Sequence, residues 1–244
     1  MGLYDTVIFS PVFDFETRVG NNSLHAVVVP YIKAPWVLTM LEKDSATRSN
    51  LESALTSKNP SIVWLDSHGN EVCLAETETT CAVDLTSDLS RLFSGRIVYI
   101  HACLCGKKLA PAMVSAGAKA VLAYTDTVVS EIDPSTMRLT RPFEETLLHP
   151  KRLYDHVSVG QVYDETIQIF NVWIDCLRAW DPSVRDALLH DRDCFKLFGD
   201  PSAVVQSPSQ LVASAERAIA TVTVTTLLVQ TFLIATLRAV LRRK

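Results

Sequence analysis

Two segments of this chain share one design, and together they constrain the fold more than any other feature. Residues 62–69 read Ile-Val-Trp-Leu-Asp-Ser-His-Gly, and residues 97–103 read Ile-Val-Tyr-Ile-His-Ala-Cys. Each is a run of β-branched, aliphatic and aromatic residues that stops at a reactive side chain. A third run, residues 119–124, stops at Thr125-Asp126-Thr127. Runs this apolar do not alternate between polar and apolar, so both faces of their strands must be covered. That pattern belongs to a mainly parallel sheet between two helical layers, a three-layer α/β/α sandwich. In such sheets the functional loops gather at the carboxyl ends of the strands. If the first two runs are neighbours, about 4.8 Å apart, His68 and Cys103 face one another although 35 positions separate them in sequence.

The remaining elements follow from pattern and punctuation. Residues 6–15 form an irregular strand broken by Pro11, and the Val-rich residues 24–30 form a short buried strand closed by Pro30. Residues 45–57 form a helix with Leu51 and Leu55 on one face. Residues 71–83 alternate weakly, as a hairpin does, and residues 85–92 and 108–116 are short helices, the second ending at Gly117. Residues 128–150, with Pro134, Pro142 and Pro150, read as a long or broken loop. Residues 161–180 carry Ile167, Phe170, Trp173, Ile174 and Leu177 at helical spacing. Asp181-Pro182 restarts a helix with an N-cap and proline at its first position. Residues 194–198 are a last strand, and the Ser- and Pro-containing stretch after it reads as a linker. The expected organisation is a domain over 1–203, a linker over 204–217 and a hydrophobic helix over 218–237.

Composition closes off other classes. Of 244 residues, 48% are hydrophobic and 20% charged, which supplies a core and excludes disorder. The net charge of −4, with a basic cluster only at Arg238, Arg242, Arg243 and Lys244, argues against a nucleic-acid partner. Six cysteines in a chain of this length, with no apolar leader, point to free thiols and a cytoplasmic setting. On that reading Cys73 and Cys81, flanking the hairpin, are packed thiols.

The chemistry suggested by the two strand ends is nucleophilic. A thiol needs a partner that generates the thiolate, and acyl transfer needs an acid for the leaving amine. His68 supplies both. Gly69 leaves the backbone open to a substrate carbonyl, and the N–H groups of Gly69 and Cys103 are candidate oxyanion donors.

A hydrophobic strand ending in His-Gly, followed by a hydrophobic strand ending in Ala-Cys, resembles the caspase-like cysteine peptidases. That clan includes caspases, gingipains, separase and the CHAT domains. The continuation is most similar to the CHAT and gingipain branches: Cys103-Leu104-Cys105-Gly106, a helix, Ala116-Gly117-Ala118 and a strand, with a late Gly199-Asp200-Pro201 turn. The resemblance covers about residues 24–203. It implies a cysteine endopeptidase with Cys103 as nucleophile, His68 as general acid/base and the Gly69 and Cys103 amides as oxyanion hole. It implies no cofactor and no metal for the chemistry, a protein substrate, and a regulatory partner chain. The same fold also admits a catalytically silent scaffold that assembles or anchors through its C-terminal helix.

Several residues carry two readings. His101 stands where a small or apolar residue is usual before Ala-Cys; strand alternation turns it to the same side as Cys103, to tune the thiol or simply to pack. Asp66 either orients His68 or ends a strand in a turn. Asp126 either pairs with a basic P1 side chain or caps its own turn, with Glu131 and Asp133 as rivals. His68, His101, Cys103 and Cys105 could ligate zinc, but ligands one residue apart on a strand fit a structural zinc site poorly.

Residues 218–237 hold no charge over twenty positions, about 30 Å as a helix, and the chain's mean hydropathy is +0.18. Five threonines between 221 and 231, and a Thr223-Thr226-Gln230 stripe, suit contact with another helix as well as lipid. The tail is therefore expected to attach the domain to a membrane or to drive self-assembly. Deleting residues 211–244 is expected to leave a monomer by size-exclusion chromatography, whereas the intact chain enters a membrane or oligomeric fraction. An intact chain that runs as a detergent-free monomer would remove both roles.

Overall fold

The computed structural model describes residues 4–207 and 210. By its internal contacts the chain divides into Met1–Val205 and Gln206–Lys244. The expected hydrophobic helix lies outside the described residues, among which no helix is long and apolar enough to cross a membrane.

The first unit opens with β1 (Asp5–Ser10), α1 (Phe15–Val27), β2 (Val37–Glu42) and α2 (Arg48–Lys58). Next come β3 (Ile62–Asp66), the hairpin β4 (Cys73–Ala75) and β5 (Cys81–Asp84), α3 (Leu89–Phe93), β6 (Ile97–His101), α4 (Leu109–Ser115) and β7 (Ala120–Tyr124). A small hairpin, β8 (Ile132–Asp133) and β9 (Arg138–Leu139), leads to α5 (Arg141–Leu147), α6 (Val159–Leu177), α7 (Pro182–Cys194) and β10 (Phe195–Gly199). The main sheet has the order β10-β7-β6-β3-β1-β2. All its pairings are parallel except β10 on β7, an antiparallel edge.

Alternation along the strands divides the core in two. Ile8, Trp64, Tyr99 and Leu122 point to one face and meet α1, α5, α6 and α7. Val7, Phe9, Val63, Leu65, Val98 and Ile100 point to the other and meet α2, α3 and α4. Trp64 and Tyr99 are fully buried and touch edge to face at 4.5 Å, a geometry that suits the ring quadrupoles. At the amino end of β6 the buried Arg96 donates to the carbonyls of Leu92 and Leu55, so its charge stays hydrogen-bonded out of water.

Three local expectations change. Residues 24–30 are not a strand: Leu24 lies in α1, and Val29–Tyr31 form a 3₁₀ turn. The reason is upstream, where Asp14 and Thr17 form a capping box that starts a helix at Phe15. The short Val run then continues it, since an apolar run of this length fits either element. The first strand stops at Ser10, just before the proline. Residues 128–150 hold a hairpin and a helix where a loop was expected, and β2 is an edge strand without a sequence signal of its own.

The cysteine reading is also corrected. Cys73 and Cys81 form a disulfide across the β4–β5 hairpin, with Cα atoms 5.8 Å apart, which is ordinary disulfide spacing. Cys103, Cys105, Cys176 and Cys194 are free. A thiol titration of the denatured, unreduced chain is expected to return four thiols, and six after reduction. Six without reductant would show the hairpin open.

Candidate active site

The site is built where β3 and β6 end. These strands are parallel neighbours, in register from Ile62↔Ile97 to Asp66↔His101. Ser67 N–H still donates to the His101 carbonyl at 3.2 Å, so the pairing runs past the strands. His68 and Cys103 each lie two residues beyond the last registered pair, and they border one pocket of about 130 Å³. α1 supplies its second wall through Thr17, Val19 and Gly20, and Val128 and Leu139 close it.

Two imidazole–carboxylate pairs face this pocket. His68 is bound through Nε2 to Asp14 Oδ2 at 2.7 Å, and its side chain is 46% exposed. Asp14 is the N-cap of α1: its Oδ1 accepts from Thr17 N–H at 2.8 Å and Thr17 Oγ1 at 2.6 Å. Desolvation works against the carboxylate, but the bonds from Thr17 and His68 outweigh it and hold its pKa below the ordinary value. With Nε2–H donated to Asp14, the lone pair of His68 is on Nδ1.

The second pair is buried. His101 Nδ1 meets Asp66 Oδ1 at 2.5 Å, with side chains 13% and 5% exposed. Asp66 also accepts from Ser10 Oγ at 3.0 Å. Gly20 of α1 packs there, since a Cβ would come within 2.9 Å of Asp66 Oδ2. Asp66 therefore orients His101 and leaves His68 to Asp14. The cause is register, because Asp66 is the direct cross-strand partner of His101.

Cys103 is half-buried in a tight turn. Leu104, the next residue, has φ +63°, a left-handed conformation that costs a leucine about 1–2 kcal/mol. The turn is pinned to the end of β7 by Leu104 N–H on the Asp126 carbonyl, 3.0 Å, and Gly106 N–H on the Tyr124 carbonyl, 2.8 Å. Gly69 presses on it from the other side, where a Cβ would lie 2.6 Å from Cys105 Sγ and 3.0 Å from the Cys103 carbonyl. Val128 N–H donates to Cys103 Sγ at 3.3 Å. Burial raises the Cys103 thiol pKa, that N–H opposes it, and the charges of Asp191 and Asp126 add to the rise.

Of the sequence candidates, His68, Gly69, His101, Cys103 and Cys105 come together at these strand ends. Cys105 is buried, with Sγ toward the Cys73 carbonyl at 3.7 Å. Asp126 reaches the site by its carbonyl alone: its side chain is exposed, accepts from Thr127 N–H at 2.8 Å and does not line the pocket. The residue sequence reasoning missed is Asp14. Its signal is a capping pattern, Asp-x-x-Thr, directly after the first strand, which places it at the sheet end where His68 emerges. Among the described residues, two trios could offer ligand atoms to a cation, Asp14-Glu16-His68 and His190-Asp191-Cys194.

With this geometry in view, the fold is that of the caspase-like cysteine peptidases, a mixed α/β structure around a mainly parallel sheet. One similar solved structure is the complex of the Porphyromonas gingivalis RgpB pro- and mature domains, a gingipain, with a TM-score of 0.52 and 16% sequence identity. The likeness covers 83% of this chain and 49% of that one, so the chain spans about half the length of the structure it matches. No family model matches the sequence, and no curated protein does.

Because its pKa is raised, Cys103 is expected to react with iodoacetamide in a pH profile whose midpoint lies above the ~8.5 of an ordinary thiol. The thiolate fraction then rises through the weakly alkaline range. A midpoint below 7 would mean an imidazole already holds the sulfur as an ion pair.

Proposed function

We propose that this chain is a cysteine endopeptidase acting through Cys103 and His68. The observation that carries the reading is the level placement of the two side chains at neighbouring strand ends on one pocket, with Asp14 holding the far side of the imidazole. Of the two branches the sequence resembles, the gingipain type has the fold likeness behind it; the CHAT type has the sequence pattern alone.

The steps follow from the chemistry of the groups. His68 Nδ1 takes the thiol proton and Cys103 Sγ attacks the substrate carbonyl carbon. The oxyanion forms against the Gly69 and Cys103 N–H groups, neither of which is spent on a backbone carbonyl. The C–N bond breaks, the imidazolium protonates the departing amine, and water hydrolyses the thioester with His68 again as base. Asp14 keeps the tautomer fixed and stabilises the imidazolium. The exposure of His68 leaves it free to approach the sulfur when substrate is bound. For P1 we retain a basic side chain. Among the described residues lining the pocket, Glu16 is an exposed acid and neither Lys nor Arg is present, so Glu16 joins Asp126 as a candidate partner for that side chain. The complex of pro- and mature domains is a property of the similar protein, and it supports a regulatory partner chain for this one.

A second reading, a catalytically silent scaffold, has one observation in its favour. Both imidazoles are engaged by carboxylates, and burial keeps Cys103 in the thiol form.

A peptide-library cleavage profile of the intact chain separates the readings. Cleavage after Arg or Lys is expected. Cys103→Ala and His68→Ala should each reduce it by ~10³-fold or more, and Asp14→Asn on the order of a hundredfold by disturbing the tautomer. Circular dichroism should show all three folded. Full activity in folded Cys103→Ala would sink the mechanism, and a folded wild type that cleaves nothing would favour the scaffold.

A further inference from the structure

We propose that residues 125–129 are a two-sided strap that positions the nucleophile, with Asp191 on the last turn of α7 as its anchor. The proposal adds a positioning residue to the peptidase reading and rests on that reading for its consequence in catalysis.

The observation is an alternation of partners. Thr125 N–H and Oγ1 both donate to the Cys194 carbonyl, at 2.8 and 3.1 Å. The Thr127 carbonyl accepts from His190 Nε2 at 2.8 Å. Val129 N–H donates to Asp191 Oδ1 at 2.9 Å. The odd-numbered residues are thus tied to one helical turn. The even-numbered residues face the nucleophile: the Asp126 carbonyl accepts from Leu104 N–H, and Val128 N–H donates to Cys103 Sγ. These hydrogen bonds tie the segment to α7 through one set of residues and to the nucleophile's turn through the other, so the strap takes its position from α7 and passes it to Cys103.

Asp191 is the member hardest to explain as packing. It is completely buried, and its Oδ2 has no hydrogen-bond partner among the described residues. An apolar residue would fill the space without that penalty. What the carboxyl adds is an acceptor for Val129 N–H, one residue from the N–H that contacts the sulfur. Burial raises its pKa to about 8, with the Val129 bond opposing, so near neutral pH the acid is mostly uncharged. That matters because an anion there disfavours the Cys103 thiolate. The titratable groups around it are Cys103, Cys194, Tyr99 and Tyr124, with Asp126 and His190 on the strap's two sides. The two tyrosines and Cys194 are all held in their neutral forms by burial.

The test uses the full chain and a readout that does not require peptidase activity. Alkylation of Cys103 by iodoacetamide at pH 7 is expected to slow on the order of tenfold in Asp191→Ala, because the sulfur loses its N–H donor. Asp191→Asn keeps the acceptor and should stay within about twofold of wild type. Amide exchange at Val128 and Val129 should accelerate in the Ala variant alone. If Asp191→Ala does not fold, His190→Ala, which frees the Thr127 carbonyl, should show the same slowing in smaller measure. Wild-type alkylation and exchange in folded Asp191→Ala, or in His190→Ala where that is the variant tested, would overturn the proposal. A wild type that cleaves no peptide while this alkylation pattern holds would remove the peptidase reading and leave the strap standing.

Discussion

The parallel pairing of β3 with β6 is the constraint on which the rest of the site depends. It brings two segments 35 residues apart into register at Asp66↔His101. Every later contact is counted from that pair. A shift of one residue would turn Asp66 and His101 to opposite faces. It would strand a buried carboxylate without its imidazole, at a cost of several kcal/mol. It would also move Trp64 and Tyr99 out of their edge-to-face contact. The apolar packing and the polar pair therefore select the same register. The polar pair does so at the end of the sheet, where packing alone is weakest.

α1 extends this constraint into the site. Its N-cap, Asp14, uses one oxygen to start the helix and the other to hold His68. Six residues further on, Gly20 lets the helix backbone settle against Asp66. Asn21 donates to Ser10 Oγ and to Glu42 Oε2, and Ser10 donates to Asp66. Buried polar groups thus run from the pocket beneath α1 toward β2, each satisfied by the next. The helix is placed by these contacts as much as by its apolar residues, which are few: Val19 and Leu24 are its buried aliphatics.

The sequence made the central sheet legible because its inner strands are buried on both faces and read as unbroken apolar runs. Cys103 and His68 were legible for the same reason, as reactive residues at the ends of two such runs. What escaped depended on information that periodicity does not carry. β2 is an edge strand whose exposed and half-buried residues give no run to detect. The Val-rich residues 24–30 have a composition that fits strand or helix, and a capping box ten residues earlier decided between them. The Cys73–Cys81 bond is not legible in the cysteine count, nor in a regular hairpin register, since Cys73 lies opposite Asp84 and Cys81 opposite Ala75 across an irregularity in β4–β5. Asp14 stands between two phenylalanines and Asp191 in a charged helix end, and only the folded chain shows that one faces His68 and the other lies behind Cys103. The Asp126 side chain stands outside the pocket lining and accepts from the next N–H, a local use of a turn carboxylate that a sequence pattern does not show.

Cys103 and His68 are held to very different degrees. The sulfur sits in a turn with a left-handed leucine, and such a conformation persists only when its surroundings over-determine it. Here they do: β7 takes two backbone bonds, Gly69 closes one side, and Val128 N–H reaches the sulfur itself. The imidazole, by contrast, is nearly half exposed and held by one carboxylate at its outer nitrogen. The conformational freedom left in the site thus belongs to His68. A thiol that burial keeps protonated stays unreactive until a base reaches it. Moving an exposed ring costs far less than moving a turn pinned from three sides. If the chain is the peptidase proposed above, activation is a movement of the base toward a fixed nucleophile, governed by whatever occupies the pocket that both residues line.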